Sequence, residues 1–212
     1  MRVDIHCHTS KYSGCSEQSP EEMAQMAIKR GLNAIVITEH YYTWEKEELT
    51  ELQKKYPDIL ILNGVEITVR NYYNSSRYDT HDILVYGLPE TYRPDWKIRI
   101  EEVLDRFEPA GCAFVLAHPF RFCHKMLIPE DILKKFHALE IDSSNFNSQD
   151  TELSLALAKK LNIPSIIASD SHSTRSTGIW YIETMEFNNM QEFLKILKSG
   201  NWTYSLRRTI SD

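Results

Sequence analysis

The stretch Met1-Arg-Val-Asp-Ile-His-Cys-His-Thr-Ser10 opens the chain, and its apolar residues Val3 and Ile5 predict a short β-strand that ends in two histidines. Side chains two residues apart on a strand point to the same face, so His6 and His8 should project together. Two imidazoles that converge at one strand end supply half of a typical metal site. Taken alone, the pair is equally compatible with a chance placement of one buried and one solvated histidine.

The overall composition is that of a globular protein. With 212 residues, of which 42% are hydrophobic and 25% charged, the chain is expected to form a single domain over residues 1–212. The net charge of -6 argues against a protein that binds long nucleic acids through a basic surface. A small phosphorylated substrate or a short nucleic acid stays open, because local cations and bound metals outweigh a distant negative surface. The sequence does not indicate an oligomeric state.

The sequence also predicts a cytoplasmic location. The start of the chain lacks the apolar stretch of a signal peptide, and no run of residues has the length and apolar character of a membrane span. The four cysteines, Cys7, Cys15, Cys112 and Cys123, form no CxxC pair and no disulfide-like spacing, which favours a reducing compartment.

Apolar runs alternate with amphipathic segments along the chain. After the first strand, the predicted strands cover residues 33–38, 59–62 with a continuation at 65–69, 81–87, 112–117, 138–142, 164–168 and, last, 179–182. The predicted helices cover residues 19–30, 44–55, 96–107, 129–136, 150–161 and 189–198. Near-continuous apolar strands are typical of parallel strands that are covered on both faces. Seven strand–helix units predict an α/β barrel, closed or nearly closed, rather than a dinucleotide-binding sheet, whose GxGxxG motif follows none of the strands.

Most of the histidines fall at the ends of these predicted strands, and acidic residues accompany them. In an α/β barrel the carboxyl ends of the strands meet on one face, where active sites are built. Imidazole and carboxylate ligands in such number suit divalent transition metals. The candidate ligands, enough for two or three ions, are His6, His8, His40, Glu66, His81, His118, Asp170 and His172.

The same residues resemble, in order along the chain, the motifs of the PHP (polymerase and histidinol phosphatase) superfamily. The resemblance covers residues 2–178 and lies in His6-x-His8, Thr38-Glu-His40, Gly64-Val-Glu66, the isolated His81, Ala117-His-Pro119 and Asp170-x-His172. The second motif departs from the family pattern, which more often has Thr-Asp-His.

This resemblance implies a distorted (β/α)7 TIM-like barrel with a di- or trinuclear centre of Zn, Mn or Fe ions. The implied ligand sets are His6, His8, Glu66 and Asp170 for one ion, Glu66, His81 and His118 for a second, and His40 and His172 for a third. The family often supplies a further Asp or His in the loop after the first motif, where this chain has Gly14 and Cys15. The third site is therefore expected to be weaker, completed by water, or partly served by Cys15.

Phosphate esters need positive charge beyond the metals, and arginine is the best planar partner for phosphate oxygens. Arg121 follows the Ala117-His-Pro119 motif, and Arg175 follows the last motif by three residues. Both are predicted to lie above the metal face and to act in catalysis together with Asp170. Each could instead be a solvated surface cation.

Two further polar residues, His124 and Glu39, have more than one possible role. His124 lies on the loop after Arg121 and is either a general acid for the leaving group or an ordinary surface histidine. Glu39, beside His40, either orients a metal-bound imidazole or faces water.

These features together favour a metal-dependent phosphoesterase, in which a hydroxide held by two or three ions attacks phosphorus. The same site could instead attack a carbon centre, as in amidohydrolases with related barrels, or belong to a metal-binding regulatory domain without catalysis. The sequence does not identify the phosphate ester. The excursion from Arg70 to Thr80 and the loop from Phe120 to Ile128 are predicted to decide it.

Overall fold

The computed structural model describes residues 1–70, 80–89, 91–93, 98–122 and 124–206. Its elements in chain order are β1 (Arg2–Cys7), α1 (Pro20–Lys29), β2 (Ala34–Ile37), α2 (Lys46–Lys55), β3 (Leu60–Arg70), β4 (Thr80–Tyr86), α3 (Ile100–Phe107), β5 (Ala113–Ala117), α4 (Glu130–Leu133), β6 (Ala138–Asp142), α5 (Ser148–Leu161), β7 (Ser165–Ile167), β8 (Ile182–Thr184), α6 (Met190–Ser199) and β9 (Trp202–Thr203). Residues 71–79 of the predicted excursion, the predicted start of the third helix at 96–97, and Cys123 lie outside the described residues.

The described strands form one curled sheet in the order β7-β6-β5-β4-β3-β2-β1-β8-β9. Neighbours are parallel in the pairs β1–β2, β2–β3, β5–β6 and β6–β7. A further bridge joins Cys7, at the end of β1, to Ser171, which follows β7. The sheet therefore curls until its two sides meet at the carboxyl ends of β1 and β7. This is a mixed α/β fold with a strongly curled half-barrel, and it confirms the expected distorted TIM-like barrel.

Strand β4 departs from the predicted parallel order, because it runs antiparallel to both β3 and β5. Only residues 71–79 separate β3 from β4, whereas a crossover between parallel strands needs about a dozen residues or more. The expectation of parallel strands throughout is therefore wrong at β4. As a result, the first residues of β4 lie beside the last residues of β3 and β5.

The carboxyl-terminal strands also differ from the prediction. The strand expected at residues 179–182 is observed as β8, Ile182–Thr184, and it pairs antiparallel with β1. The two-residue β9 pairs with β8 and was not predicted. Neither strand has the long apolar run of a buried parallel strand, so hydrophobic patterning places one inaccurately and misses the other.

Side-chain caps fix the residues at which helices α1 and α5 begin. Helix α1 begins as predicted: Ser19 Oγ accepts the N–H of Glu22 at 3.2 Å, and the Glu22 carboxylate accepts the N–H of Ser19 at 2.7 Å. Helix α5 begins earlier than predicted, because the side chain of Asn147 caps it. Within the described residues, no helix combines the length and the apolar character needed to span a membrane.

A buried carboxylate ties β1 to the last part of the barrel. Asp4 is fully buried and accepts the N–H of Ser169 at 3.0 Å and the N–H of Gly178 at 2.8 Å. Burial raises the pKa of Asp4, and the hydrogen bonds from Ser169 and Gly178 act in the opposite direction. Through these two bonds, Asp4 fixes the segment that follows β7 relative to β1.

We expect the substitution Asp4→Ala to lower the free energy of unfolding by about 2 to 4 kcal/mol, because it leaves two buried N–H groups without an acceptor. Urea denaturation followed by circular dichroism measures this change. Asp58→Ala, at an exposed position, is the matched control and should change stability by less than about 0.5 kcal/mol. Equal stability of the two variants would contradict the anchoring role of Asp4.

Candidate metal centre

The carboxyl ends of the strands bring most of the predicted ligands into one cluster. His6 and His8, at the end of β1, are both fully buried, and their ring centroids lie 5.0 Å apart. His40 follows β2, His118 follows β5, and Asp170 lies in the segment after β7. The common face of these strand ends is where the sequence pattern predicted the site.

Glu66 of β3 lies at the centre of the cluster and is 1% exposed. Its Oε2 atom is 3.1 Å from His8 Nε2, 3.0 Å from His40 Nδ1 and 3.4 Å from His6 Nε2. Its Oε1 atom is 3.0 Å from His118 Nε2. One carboxylate therefore contacts four imidazoles, as a bridging metal ligand would.

Asp170 forms the second acidic part of the cluster. Its Oδ1 atom lies 3.4 Å from both His6 Nε2 and His8 Nε2, and 3.6 Å from His172 Nδ1. Its Oδ2 atom instead accepts a hydrogen bond of 2.7 Å from Asn145 Nδ2. The two oxygens thus have separate roles, since one faces the imidazoles and the other is held by the surrounding protein.

Three overlapping groups of these residues could hold a metal ion, with the ligand atoms of each group within 4.8 Å of one another. The groups are His6, His8 and Asp170; His6, Glu66 and His118; and His8, His40 and His172. They combine every predicted ligand except His81. Each group lies close to one of the three ligand sets that the sequence resemblance implied.

Unpartnered buried atoms test whether this arrangement fits a metal. Within the described part of the chain, His6 Nε2, His8 Nε2, Glu66 Oε2 and Asp170 Oδ1 are buried without a hydrogen-bond partner. Such atoms are costly in a protein interior unless something satisfies them. A divalent cation satisfies all four, and a mixed imidazole and carboxylate set suits Zn, Mn or Fe.

A carboxylate that the sequence reading missed orients His6. Glu140 of β6 is fully buried, and its Oε1 atom lies 3.1 Å from His6 Nδ1. Its Oε2 atom accepts the N–H of His118 at 2.9 Å. With its Nδ1 proton held by Glu140, His6 presents the Nε2 lone pair to the cluster. The available signal was an acidic residue in the middle of an otherwise apolar strand.

His8 is oriented through a second missed residue, Ser13. The Ser13 hydroxyl donates to Glu39 and accepts the N–H of His40 at 3.1 Å, and its oxygen is 3.3 Å from His8 Nδ1. Because the hydroxyl proton is committed to Glu39, the Ser13 oxygen must accept from His8 Nδ1, which leaves Nε2 free. Glu39 is fully buried and acts on His8 through Ser13. This differs from both predictions for Glu39, which were direct contact with an imidazole and exposure to water.

The structure brings Asp82, the neighbour of the predicted ligand His81, close to the cluster. Asp82 pairs with Thr68, which lies two residues from Glu66 and on the same face of β3, whereas His81 pairs with Val69 on the opposite face. Asp82 Oδ2 is 3.8 Å from His118 Nδ1, and Asp82 Oδ1 is another unpartnered buried atom among the described residues. Asp82 is therefore a further candidate ligand from β4, and the assignment of His81 stays a prediction.

Two ligands have a left-handed backbone, which is uncommon for residues other than glycine. The φ angles are +25° at His118 and +45° at Asp170. Ala117 pairs with Asp82 and so shares its face, which means that regular alternation would direct His118 away from the cluster. The left-handed turn reverses this direction. Strained backbone of this kind is concentrated at functional sites.

The two predicted phosphate-binding arginines differ in position. Arg121 Nη1 lies 3.1 Å from Asp170 Oδ2, and its side chain is 30% exposed. Arg175 is exposed, and its backbone carbonyl accepts a hydrogen bond from Arg30. The structure therefore brings Arg121 to the cluster and leaves Arg175 at the surface. His124 is half-exposed and pairs with the buried Asp150 at 3.3 Å.

Carboxylates in the cluster favour the charged form of three imidazoles when no ion is bound. Against the effect of burial, Asp170, Glu140 and Glu66 raise the pKa of His6 well above its usual range. Burial lowers the pKa of His8, but the adjacent carboxylates of Asp170 and Glu66 outweigh it and raise that pKa to about 9. The pKa of His118 is also raised to about 9 against the effect of burial, chiefly by Glu66. Burial lowers the pKa of His172 to about 4. Metal ions that bind here would therefore compete with protons at His6, His8 and His118 near neutral pH, but not at His172.

Fold and cluster together define an α/β barrel with a buried site suited to metal ions. Residues 4–93 match the family model of the PHP domain, and residues 149–202 match that of a PHP-associated region. The chain thus carries a PHP domain with a PHP-associated carboxyl-terminal region, in agreement with the resemblance seen in its motifs. No curated protein matches the chain.

Several solved structures share the fold. A two-domain protein from Bacteroides vulgatus that contains a predicted PHP-like metal-dependent phosphoesterase has a TM-score of 0.69 and 13% identity, over 95% of this chain and 63% of that one. A proposed metal-dependent phosphoesterase from Bifidobacterium adolescentis has a TM-score of 0.61 and 18% identity, over 90% and 91% of the two chains. An amidohydrolase from Chromobacterium violaceum, solved with sulfate and no metal, has a TM-score of 0.66 and 15% identity, over 96% and 98%. At such identities the likeness establishes the fold alone.

The two candidate ligands on β4, His81 and Asp82, lead to a direct test. We expect Asp82→Asn to lower the bound metal by up to one ion per chain, because an amide is a poorer ligand than a carboxylate. His81→Asn is the matched control and should keep the metal content of the unchanged protein. Elemental analysis after gel filtration measures both. Loss of metal from the His81 variant alone would restore the original assignment.

The raised pKa values predict that metal binding releases protons. Below pH 9, ions that bind at His6, His8 and His118 must displace protons, so the apparent affinity should rise with pH throughout this range. The rise should approach about tenfold per pH unit for each proton displaced. Zinc titration calorimetry in buffers of different ionisation enthalpy counts these protons. His124→Asn should leave the profile unchanged, and an affinity independent of pH in this range would contradict the prediction.

Proposed function

We propose that the protein is a metal-dependent phosphoesterase. The observation that carries the proposal is the convergence of unpartnered buried ligand atoms on Glu66 and Asp170, with Arg121 Nη1 only 3.1 Å from Asp170 Oδ2. Several cationic groups at one point complement the anionic oxygens of a phosphoryl group. The PHP family match and the likeness to two phosphoesterase-like structures support the same conclusion.

Seven of the residues first expected to be ligands, together with Asp82, would hold the ions. The sets would be His6, His8, Glu66 and Asp170 for one ion, Glu66, Asp82 and His118 for a second, and His40 and His172 for a third. When bound, such ions stabilise negative charge on the reacting phosphoryl group and activate a water molecule. Two or three ions of Zn, Mn or Fe are compatible with these ligands.

The residues of the chain itself position both the ligands and the substrate. Asn145 and Arg121 hold Asp170 Oδ2, so that Oδ1 stays directed at His6 and His8. Arg121 is partly exposed and can exchange its contact with Asp170 for a phosphoryl oxygen of a bound substrate. A small phosphorylated molecule fits this arrangement best, and a short nucleic acid with a terminal phosphate presents the same group.

Arginine substitutions test this assignment. Arg121→Ala should lower kcat/KM for phosphate esters by about 10²-fold, the order reported for loss of one charge-stabilising group. Arg175→Ala, the matched control, should change it by less than about threefold, because that side chain is exposed. Hydrolysis of p-nitrophenyl phosphate and a panel of natural monoesters, after metal loading, measures both. A metal-loaded protein that turns over no phosphate ester would overturn the proposed function.

The likeness to an amidohydrolase favours one alternative, attack at a carbon centre. The same cluster could serve hydrolysis of an amide or a lactone, since such reactions also require a metal-activated water. The same metal-loaded protein distinguishes the two functions when it is assayed with amide and lactone substrates. Activity on these substrates, combined with none on phosphate esters, would select the alternative.

A further inference from the structure

Phe122 is an exposed aromatic residue on the loop that also carries Arg121. Its exposed fraction is 62%, whereas Phe120, two residues earlier on the same loop, is buried. Among the described residues, the other exposed large apolar side chains are Met185 and Leu206. A single exposed apolar side chain is common on protein surfaces and needs no functional explanation. Phe122 is of interest because of the residues that its ring contacts.

The ring of Phe122 contacts two residues at the candidate metal centre. The guanidinium carbon of Arg121 lies over the ring, 5.0 Å from its centroid, in a cation–π arrangement. The ring of His118 meets it edge-on, with 6.1 Å between the two centroids. A small cavity joins the ring to the candidate ligands and is lined by Thr80, His81, Asp82, His118, Pro119 and Phe122. The exposed ring therefore borders the open side of the centre.

Arg121 connects this ring to the place where a phosphoryl group would bind. Its Nη1 atom lies 3.1 Å from Asp170 Oδ2, while its guanidinium carbon lies over the Phe122 ring. A phosphoryl oxygen bound by Arg121 is thus held next to the ring. A phosphate monoester carries its organic group on one of its oxygens, so that group comes within reach of the exposed ring when Arg121 binds another oxygen.

We propose that Phe122 is a specificity-determining residue, whose ring stacks on a planar aromatic group attached through the phosphate ester. Aromatic rings attract one another in offset-stacked and edge-to-face arrangements, by more than the burial of apolar area alone accounts for. A saturated ring of similar size lacks this additional attraction. The sequence predicted that the loop from Phe120 to Ile128 decides the substrate, and the proposal narrows this to one side chain. It rests on the proposed function, because it requires that the centre binds phosphate esters.

Two pairs of ligands isolate the stacking contact. Benzyl phosphate and cyclohexylmethyl phosphate differ in the planarity of the ring, but both release a primary alcohol, so the comparison separates stacking from the reactivity of the leaving group. The metal-loaded protein should have a kcat/KM about three- to tenfold higher for benzyl phosphate. Calorimetry with benzylphosphonate and cyclohexylmethylphosphonate, which cannot be hydrolysed, should show the same preference in Kd.

Substitutions of Phe122 should remove this preference while the metal content stays unchanged. Phe122→Leu keeps an apolar side chain without an aromatic face and should bring both ratios close to one, as should Phe122→Ala. Phe122→Trp should keep or increase the preference. The matched control is Met185→Ala, because Met185 is similarly exposed but follows β8, which runs antiparallel to β1 and so ends at the opposite side of the barrel. This control should leave both ratios unchanged.

Unchanged protein without a preference for the aromatic ligands would overturn the inference, and so would a preference that persists in Phe122→Leu. Absence of binding by both phosphonates overturns it as well, because no phosphoryl group would then be held beside the ring. Failure of the proposed function alone looks different. In that case the phosphonates bind with the aromatic preference, but no phosphate ester is hydrolysed.

Discussion

The carboxylate of Glu66 is the group on which the rest of the centre depends. It is almost completely buried, and four imidazoles from β1 and from the segments after β2 and β5 lie within 3.4 Å of its oxygens. A buried carboxylate is strongly unfavourable unless positive charge surrounds it closely. This requirement draws the ends of β1, β2 and β5 towards β3. The curl of the sheet and the assembly of the cluster therefore follow from the same constraint, because a flatter sheet would separate the imidazoles from the carboxylate that they neutralise.

Around that carboxylate, an outer set of hydrogen bonds decides which atoms remain available for a cation. Glu140 holds one nitrogen of His6, Ser13 holds one nitrogen of His8, and Asn145 holds one oxygen of Asp170. In each case the atom left without a partner faces the centre. The ligands are therefore oriented before an ion arrives, and little conformational freedom is lost when it binds. Glu39 extends this arrangement one step outward, since it takes the proton of the Ser13 hydroxyl and so fixes the role of its oxygen.

The sequence was sufficient to predict most of the cluster, because strand ends in an α/β barrel converge whatever the order of the strands. His6, His8, His40, Glu66, His118, Asp170 and His172 were found on this ground alone. The choice between His81 and Asp82 depends instead on strand direction and register, and a pattern of apolar residues reveals neither for a reversed strand such as β4.

Two supporting residues could not be found in the sequence. Glu140 was missed because an acidic residue inside an apolar run has no periodic signal, and Ser13 was missed because a serine in a polar loop resembles any other. The position of Arg121 relative to Arg175 depends on loop conformation, which hydrophobic patterning does not describe.

The left-handed backbone at His118 and Asp170 shows that the fold places these ligands at some cost to its own stability. Each such residue is unfavourable by about 1 to 3 kcal/mol, and the unpartnered ligand atoms beside them add to that penalty. Hydrogen bonds from the N–H of His118 to Glu140 and from Asn145 to Asp170 offset part of it. A bound cation would offset a further part, because it would satisfy the unpartnered atoms and attract the carboxylates. Metal binding would therefore be linked to folding, and the ends of β1, β5 and β7 would be held in their observed arrangement most firmly with the centre filled.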